Sequence, residues 1–203
     1  MKLYGLPGAC SLVDHITLQW TGQPFEYEIV PRAGLKTAPF TDINPMGAVP
    51  VLVDGDVTLT QNVAILEYIA EQYPQANVHG GTTARARAEA RRWLALLNSD
   101  VHKTFSMLFG ATRMVSTEAA QDELRKTASD RIKEMFALIN KRLEGREWLG
   151  EARSVADAYL YVILRWAGAF KMDLSAFPNL QAHFARMQAD KGVQAALAAE
   201  GLK

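Results

Sequence analysis

The chain has 203 residues, 49% of them hydrophobic, which suffices for one large or two small domains with a proper core. Its 22 basic and 22 acidic side chains cancel, excluding a global field that would draw in nucleic acid or an anionic membrane surface. A lone cysteine excludes an internal disulfide framework, and the apolar run 158–164 stops at Arg165, too short to span a bilayer.

Residues Lys2 to Leu6 predict a strand, broken by Pro7-Gly8. Ser11 to Thr21 follows as a helical pattern with Leu12, Ile16, Leu18 and Trp20 on its apolar side, ended by Gly22. From Phe25 to Val30 the residues alternate with period two, completing a β-α-β unit with parallel strands and a right-handed crossover. Pro50 to Val53 and Val57 to Thr60 form a hairpin through Asp54-Gly55-Asp56. Asn62 then opens a helix through Tyr73, stopped by Pro74. The order β-α-β, β-β-α is that of an α/β thioredoxin-like domain, taken as residues 1–76, with 75–82 as the linker.

From Thr83 onward only helical patterns remain, so residues 84–203 are expected to form an all-α C-terminal helical domain. Arg85 to Phe109 reads as one long amphipathic helix and Glu118 to Leu143 as a second. Ser154 and Asp157 make a capping box for a third, which carries Val155, Ala158, Val162, Trp166 and Phe170. Pro178 to Gln188 and Gly192 to Ala199 complete the set.

Chemistry-bearing residues gather at the element ends. Cys10 sits where the first strand turns into a helix, where a helix dipole favours a thiolate. Val13 stands where a dithiol site needs its second cysteine, so a two-thiol redox cycle is excluded and Cys10 remains a monothiol that either hydrogen-bonds a substrate sulfur or forms a mixed disulfide with it. Ser11 beside it is either a plain helix cap or a hydroxyl that helps hold a substrate sulfur. Val49-Pro50 is a candidate cis bond whose backbone faces the same corner. Gln61-Asn62 marks a helix start, either simply capped by Asn62 or able to bind a carboxylate through free N–H groups. Asn98, His102 and Ser106 recur every four residues as a polar stripe, which should line a cleft between the two halves. Arg85, Arg87, Arg91 and Arg92 are interleaved by Glu89 and read as a solvated face. His15, His79 and His183 lack metal-ligand spacing, and no metal site is expected.

Taken together, Pro-Gly-Ala-Cys-Ser at 7–11, Gly-Ala-Val-Pro at 47–50 and Val-Ala-Asp-Ala-Tyr at 155–159 resemble the glutathione S-transferases. Cys10 with His102-Lys103, and the ending Ala199-Glu200-Gly201-Leu202-Lys203, are similar to the bacterial beta class. The resemblance implies glutathione as co-substrate, with Cys10, Ser11 and His102 around its sulfur. It implies binding of the tripeptide by Cys10, Lys36, Val49, Pro50, Gln61, Asn62, Ser99 and Asp100, and a pocket for a small apolar electrophile at Phe105, Phe109 and Trp166. It further implies a homodimer and a role in detoxification. Gln61-Asn62 departs from the acid and small residue common at this place, and Ala95 replaces a ligand-binding Asn. A glutathione-dependent thiol–disulfide reductase or dehalogenase is the alternative, and a non-enzymic interaction protein on the same scaffold a more remote one. The opening residues lack a signal-peptide pattern and the single thiol suits a reducing compartment, so a cytoplasmic protein is expected.

Overall fold

The computed structural model describes all residues from Met1 to Lys203. Four short strands, β1 (Lys2–Gly5), β2 (Glu26–Ile29), β3 (Val51–Asp54) and β4 (Val57–Thr60), form one sheet in the order β2-β1-β3-β4. β1 and β2 run parallel, with Leu3 opposite Tyr27, whereas β3 is antiparallel to both β1 and β4, with Leu52 between Leu3 and Leu59. Helices α1 (Ser11–Thr21) and α3 (Asn62–Gln72) pack together on one face, where Leu3, Leu18, Leu52, Ile65 and Ile69 are fully buried. A one-turn helix α2 (Phe40–Ile43), which has no clear periodic signal, covers the other face through Phe40 against Val30 and Val51.

The second half comprises α4 (Ala84–Ala95), α5 (His102–Met114), α6 (Glu118–Arg142), α7 (Val155–Ala169), α8 (Pro178–Gln188) and α9 (Lys191–Ala199). The single helix expected over 85–109 is therefore interrupted by a π-helical segment, Leu96–Val101, and runs on to Met114. Such a bulge is invisible to a search at period 3.6, because the apolar stripe continues through it. Thr83 caps α4 through the Ala86 N–H, and the Ser154–Asp157 capping box opens α7.

The two halves share one core. Leu12, Val13 and Ile16 of α1 are buried among Tyr159, Val162, Ile163 and Leu197 of the helical half. The loop that carries Cys10 is held on two sides by that half. Glu200 accepts from the Gly8 N–H at 2.9 Å, from His15 Nδ1 at 2.9 Å and from the Tyr27 hydroxyl at 3.0 Å, while Trp166 Nε1 donates to the Gly8 carbonyl at 2.9 Å. The β2 strand is an edge, so Ile29, which the alternation places inward, is 47% exposed.

Candidate active site

A cleft of about 320 Å³ opens between the two halves. Cys10, Val49, Pro50, Gln61 and Asn62 line it from the first half; Asn98, His102, Lys103 and Ser106 line it from the second. The polar stripe expected on the long helix does face this space. The Val49–Pro50 bond is cis, and the turn leading into it is shaped by Asn44, whose buried amide accepts from Met46 N at 3.0 Å and donates to Ala48 O at 2.6 Å. Gly47 in that turn has φ +54°, and a Cβ there would run into the Leu35 carbonyl, so only glycine fits.

Cys10 ends the loop at the start of α1, and its thiol lies 3.6 Å from the Val49 carbonyl, to which it donates. The expectation of a thiolate is corrected here. Burial, with a smaller push from Asp14, drives the thiol up to about 12, against the backbone N–H groups of Cys10 and Ser11 that favour the anion. A helix dipole contributes roughly 0.3–1 kcal/mol, and up to ~2 kcal/mol in favourable geometry. Desolvation exceeds that, so Cys10 rests as a neutral thiol that donates a hydrogen bond.

Ser11 is also corrected. It is fully buried, and its hydroxyl accepts from the Leu6 N–H at 3.0 Å and lies 3.3 Å from the Leu6 carbonyl. That pair closes the β1–α1 corner and turns Ser11 away from the cleft, so its role is to hold the loop. Asn62 does not cap its own helix. Its side-chain amide donates inward to the Cys10 carbonyl at 2.9 Å and to Asp14 Oδ2 at 2.8 Å, tying α3 to α1. Gln61 precedes α3 at φ +72°, no side chain caps that helix, and its start at Gln61 and Asn62 lines the cleft.

The site also includes Asp14, whose signal in the sequence is a carboxyl inside the apolar stripe of α1. It is fully buried, burial holds its pKa well above the usual carboxylate value, and its Oδ1 has no partner.

His102 lies at the junction of cleft and core. Its Nδ1 is 2.7 Å from the Tyr159 hydroxyl, which in turn donates to Asn98 Oδ1 at 3.1 Å, and its ring stands 4.8 Å from that of Trp166. Burial and the neighbouring Lys103 push His102 down to about 4, so the imidazole is neutral at physiological pH.

Three expected contacts fall outside the cleft walls. The exposed Lys36 donates to the Met46 carbonyl at 2.6 Å, on the outer side of the loop whose inner side lines the cleft. Ser99 is exposed and donates to the Ala95 carbonyl at 2.6 Å, and Asp100 beside it likewise misses the cleft, since one and two residues past Asn98 the helix turns them off the Asn98–His102 face. Phe105, proposed as pocket wall, is fully buried between Phe136 and Trp166 and offers no surface to a ligand. The exposed aromatic edge is made instead by Phe109, 47% exposed, and Phe170, 38% exposed, whose rings lie 5.0 Å apart; Phe109 meets Trp166 edge-on at 5.5 Å. The sequence marks Phe170 only as a helix residue. This wall begins one turn beyond Ser106. No group of three or more His, Cys, Asp or Glu side chains is placed to hold a metal ion.

Residues 3–77 match the glutathione S-transferase N-terminal domain, and residues 101–190 match the glutathione S-transferase C-terminal domain. A glutathione S-transferase of Xanthomonas campestris pv. campestris is 47% identical over 203 residues, covering the whole of both chains. Among solved structures, a glutathione S-transferase from Xylella fastidiosa superposes with a TM-score of 0.96 at 44% identity, covering 100% of this chain and 99% of that one. A sphingomonad glutathione S-transferase complexed with glutathione superposes with a TM-score of 0.88 at 40% identity over the full length of both.

Proposed function

The chain belongs to the glutathione S-transferase family, and from that premise we propose that it is a glutathione transferase that activates the thiol of glutathione for attack on small apolar electrophiles. The observation that carries the reading is the cleft itself, which places the Cys10 thiol, the Val49 backbone and the open end of α3 opposite His102.

In this reading residues 1–76 bind the tripeptide and residues 84–203 supply the electrophile site. The Val49 backbone pairs with the cysteinyl part of glutathione as a short added strand. The N–H groups at the start of α3 take the γ-glutamyl carboxylate beside Gln61 and Asn62. Lys36, Ser99 and Asp100 are left without a direct role in this chain's own cleft. Glutathione's sulfur then lies between Cys10 and His102. The neutral imidazole accepts the thiol proton, and the Cys10 S–H donates to the developing thiolate together with the dipole of α1. Imidazolium and thiolate stabilise each other as an adjacent pair. The thiolate forms a bond to the electrophilic carbon, whose leaving group departs with its electron pair. Phe109, Phe170 and the edge of Trp166 hold the electrophile.

The Cys10 S–H already donates to the Val49 carbonyl, and in this reading Cys10 acts as a hydrogen-bond donor in conjugation rather than as the thiol of a mixed-disulfide cycle. No helix is long and apolar enough to cross a membrane. We read the protein as a cytoplasmic homodimer of the bacterial beta class that serves detoxification.

The test is calorimetric titration of glutathione into the purified protein. Saturable binding at millimolar or tighter affinity supports the reading despite the Gln61-Asn62 departure, and a screen of aryl and alkyl halides follows. No heat at two temperatures overturns it in favour of an interaction protein.

A further inference from the structure

We propose that Tyr159 is the positioning residue of His102: through the chain His102 Nδ1–H to Tyr159 Oη–H to Asn98 Oδ1 it fixes the imidazole tautomer that leaves Nε2 bare toward the cleft. The inference rests on the assignment of His102 as proton acceptor made above.

The argument is one of proton accounting. A phenol has one proton and can accept at its oxygen. Tyr159 donates that proton to Asn98 Oδ1 at 3.1 Å, so the 2.7 Å contact to His102 must run the other way, from Nδ1–H to the phenol oxygen. A neutral imidazole carries one N–H, and with it on Nδ1 the lone pair lies on Nε2. His102 lines the cleft while Tyr159 is fully buried behind it, so the ring nitrogen that meets Tyr159 is the inner one. Burial holds the phenol itself far above its ordinary pKa, so it stays protonated and continues to donate.

When His102 takes a proton at Nε2, the cation's second N–H is already matched to an oxygen that Asn98 polarises. Such a partner behind a histidine raises its basicity and locks its ring. The parts come from separate elements: Asn98 from the π-helical segment, His102 from the first turn of α5, and Tyr159 from α7.

Tyr159→Phe removes one oxygen from a fully buried ring and little else. Expected are a fall in kcat of about tenfold with KM for glutathione within about twofold, and a shift of the His102 ring from the Nδ1–H to the Nε2–H form in ¹⁵N imidazole spectra. The His102 signal is assigned by its loss in His102→Gln. Unchanged kcat, or parallel changes of kcat and KM with the tautomer intact, would show a packing role and overturn the inference. Wild-type protein tests it without any variant, because an Nε2–H form of His102 at neutral pH also overturns it. If His102→Gln keeps full turnover, the assignment of His102 itself is what fails; if only Tyr159→Phe is silent, the fault lies with the relay.

Discussion

Cys10 is the sole cysteine, so its ionisation can be read chemically without interference. The perturbation is alkylation by iodoacetamide, which consumes only the thiolate. A thiol raised from an ordinary 9.0 to about 12 holds roughly a thousandfold less thiolate at neutral pH. Cys10 is only partly buried, which trims that figure, and about a hundredfold is the expected slowing against the same chain unfolded in urea. The assay is mass spectrometry of the Cys10 peptide over time from pH 6 to 11. Because access also slows alkylation, the shape of the profile decides: the native rate should still be climbing at pH 10, where the unfolded chain has levelled off. Asp14→Asn removes the second cause of the rise and should speed the reaction at alkaline pH, while leaving it well below the unfolded rate because burial is the larger cause. A native rate that plateaus below pH 8 would refute the reasoning, and would restore a resting thiolate and with it the mixed-disulfide reading.

His102→Ala should lower kcat more than it weakens glutathione binding; equal losses would mark a packing role. The wild-type imidazole should titrate near pH 4 by NMR. Its folded pKa lies below the ordinary 6.5, so the unfolded chain takes the proton first and acid withdraws stability between 6.5 and about 4; His102→Asn should soften the fall of Tm over that window and leave it unchanged above. Buried Asp157 accepts from the Ser154 N–H at 2.9 Å, from the Ser154 hydroxyl at 2.9 Å, from Leu149 N at 3.0 Å and from His183 Nε2 at 3.1 Å. Asp157→Ala strands these donors and should cost about 3 kcal/mol or more, roughly 6–12 °C in Tm, against about 1 kcal/mol for Ser154→Ala; equal effects by calorimetry would reduce the box to a simple cap.

The fold and the place of the cleft were legible in the chain because they depend on period, punctuation and order. Alternation and turn residues mark β1 to β4, the 3.6-residue stripes mark α1 and the helices from α4 onward, and Cys10, Val49-Pro50, Gln61-Asn62 and the Asn98–His102–Ser106 stripe all line the one cleft. The short α2 and the π turn carried no periodic signal of their own.

What only the tertiary structure decided is direction and environment. Ser11 and Asn62 are polar residues at helix starts, and no local rule says that the first closes a loop on Leu6 while the second reaches across to Cys10 and Asp14. Phe105 and Phe109 are one helical turn apart, yet packing of α6 and α7 buries the first fully and leaves the second at the surface. A local dipole favours a Cys10 thiolate, whereas desolvation depends on what the rest of the chain brings around the residue, here the helical half, with the charge of Asp14 on the same helix as a smaller push. Tyr159 stood in the sequence as part of a helix motif, and its role emerged only when α7 set its hydroxyl behind His102.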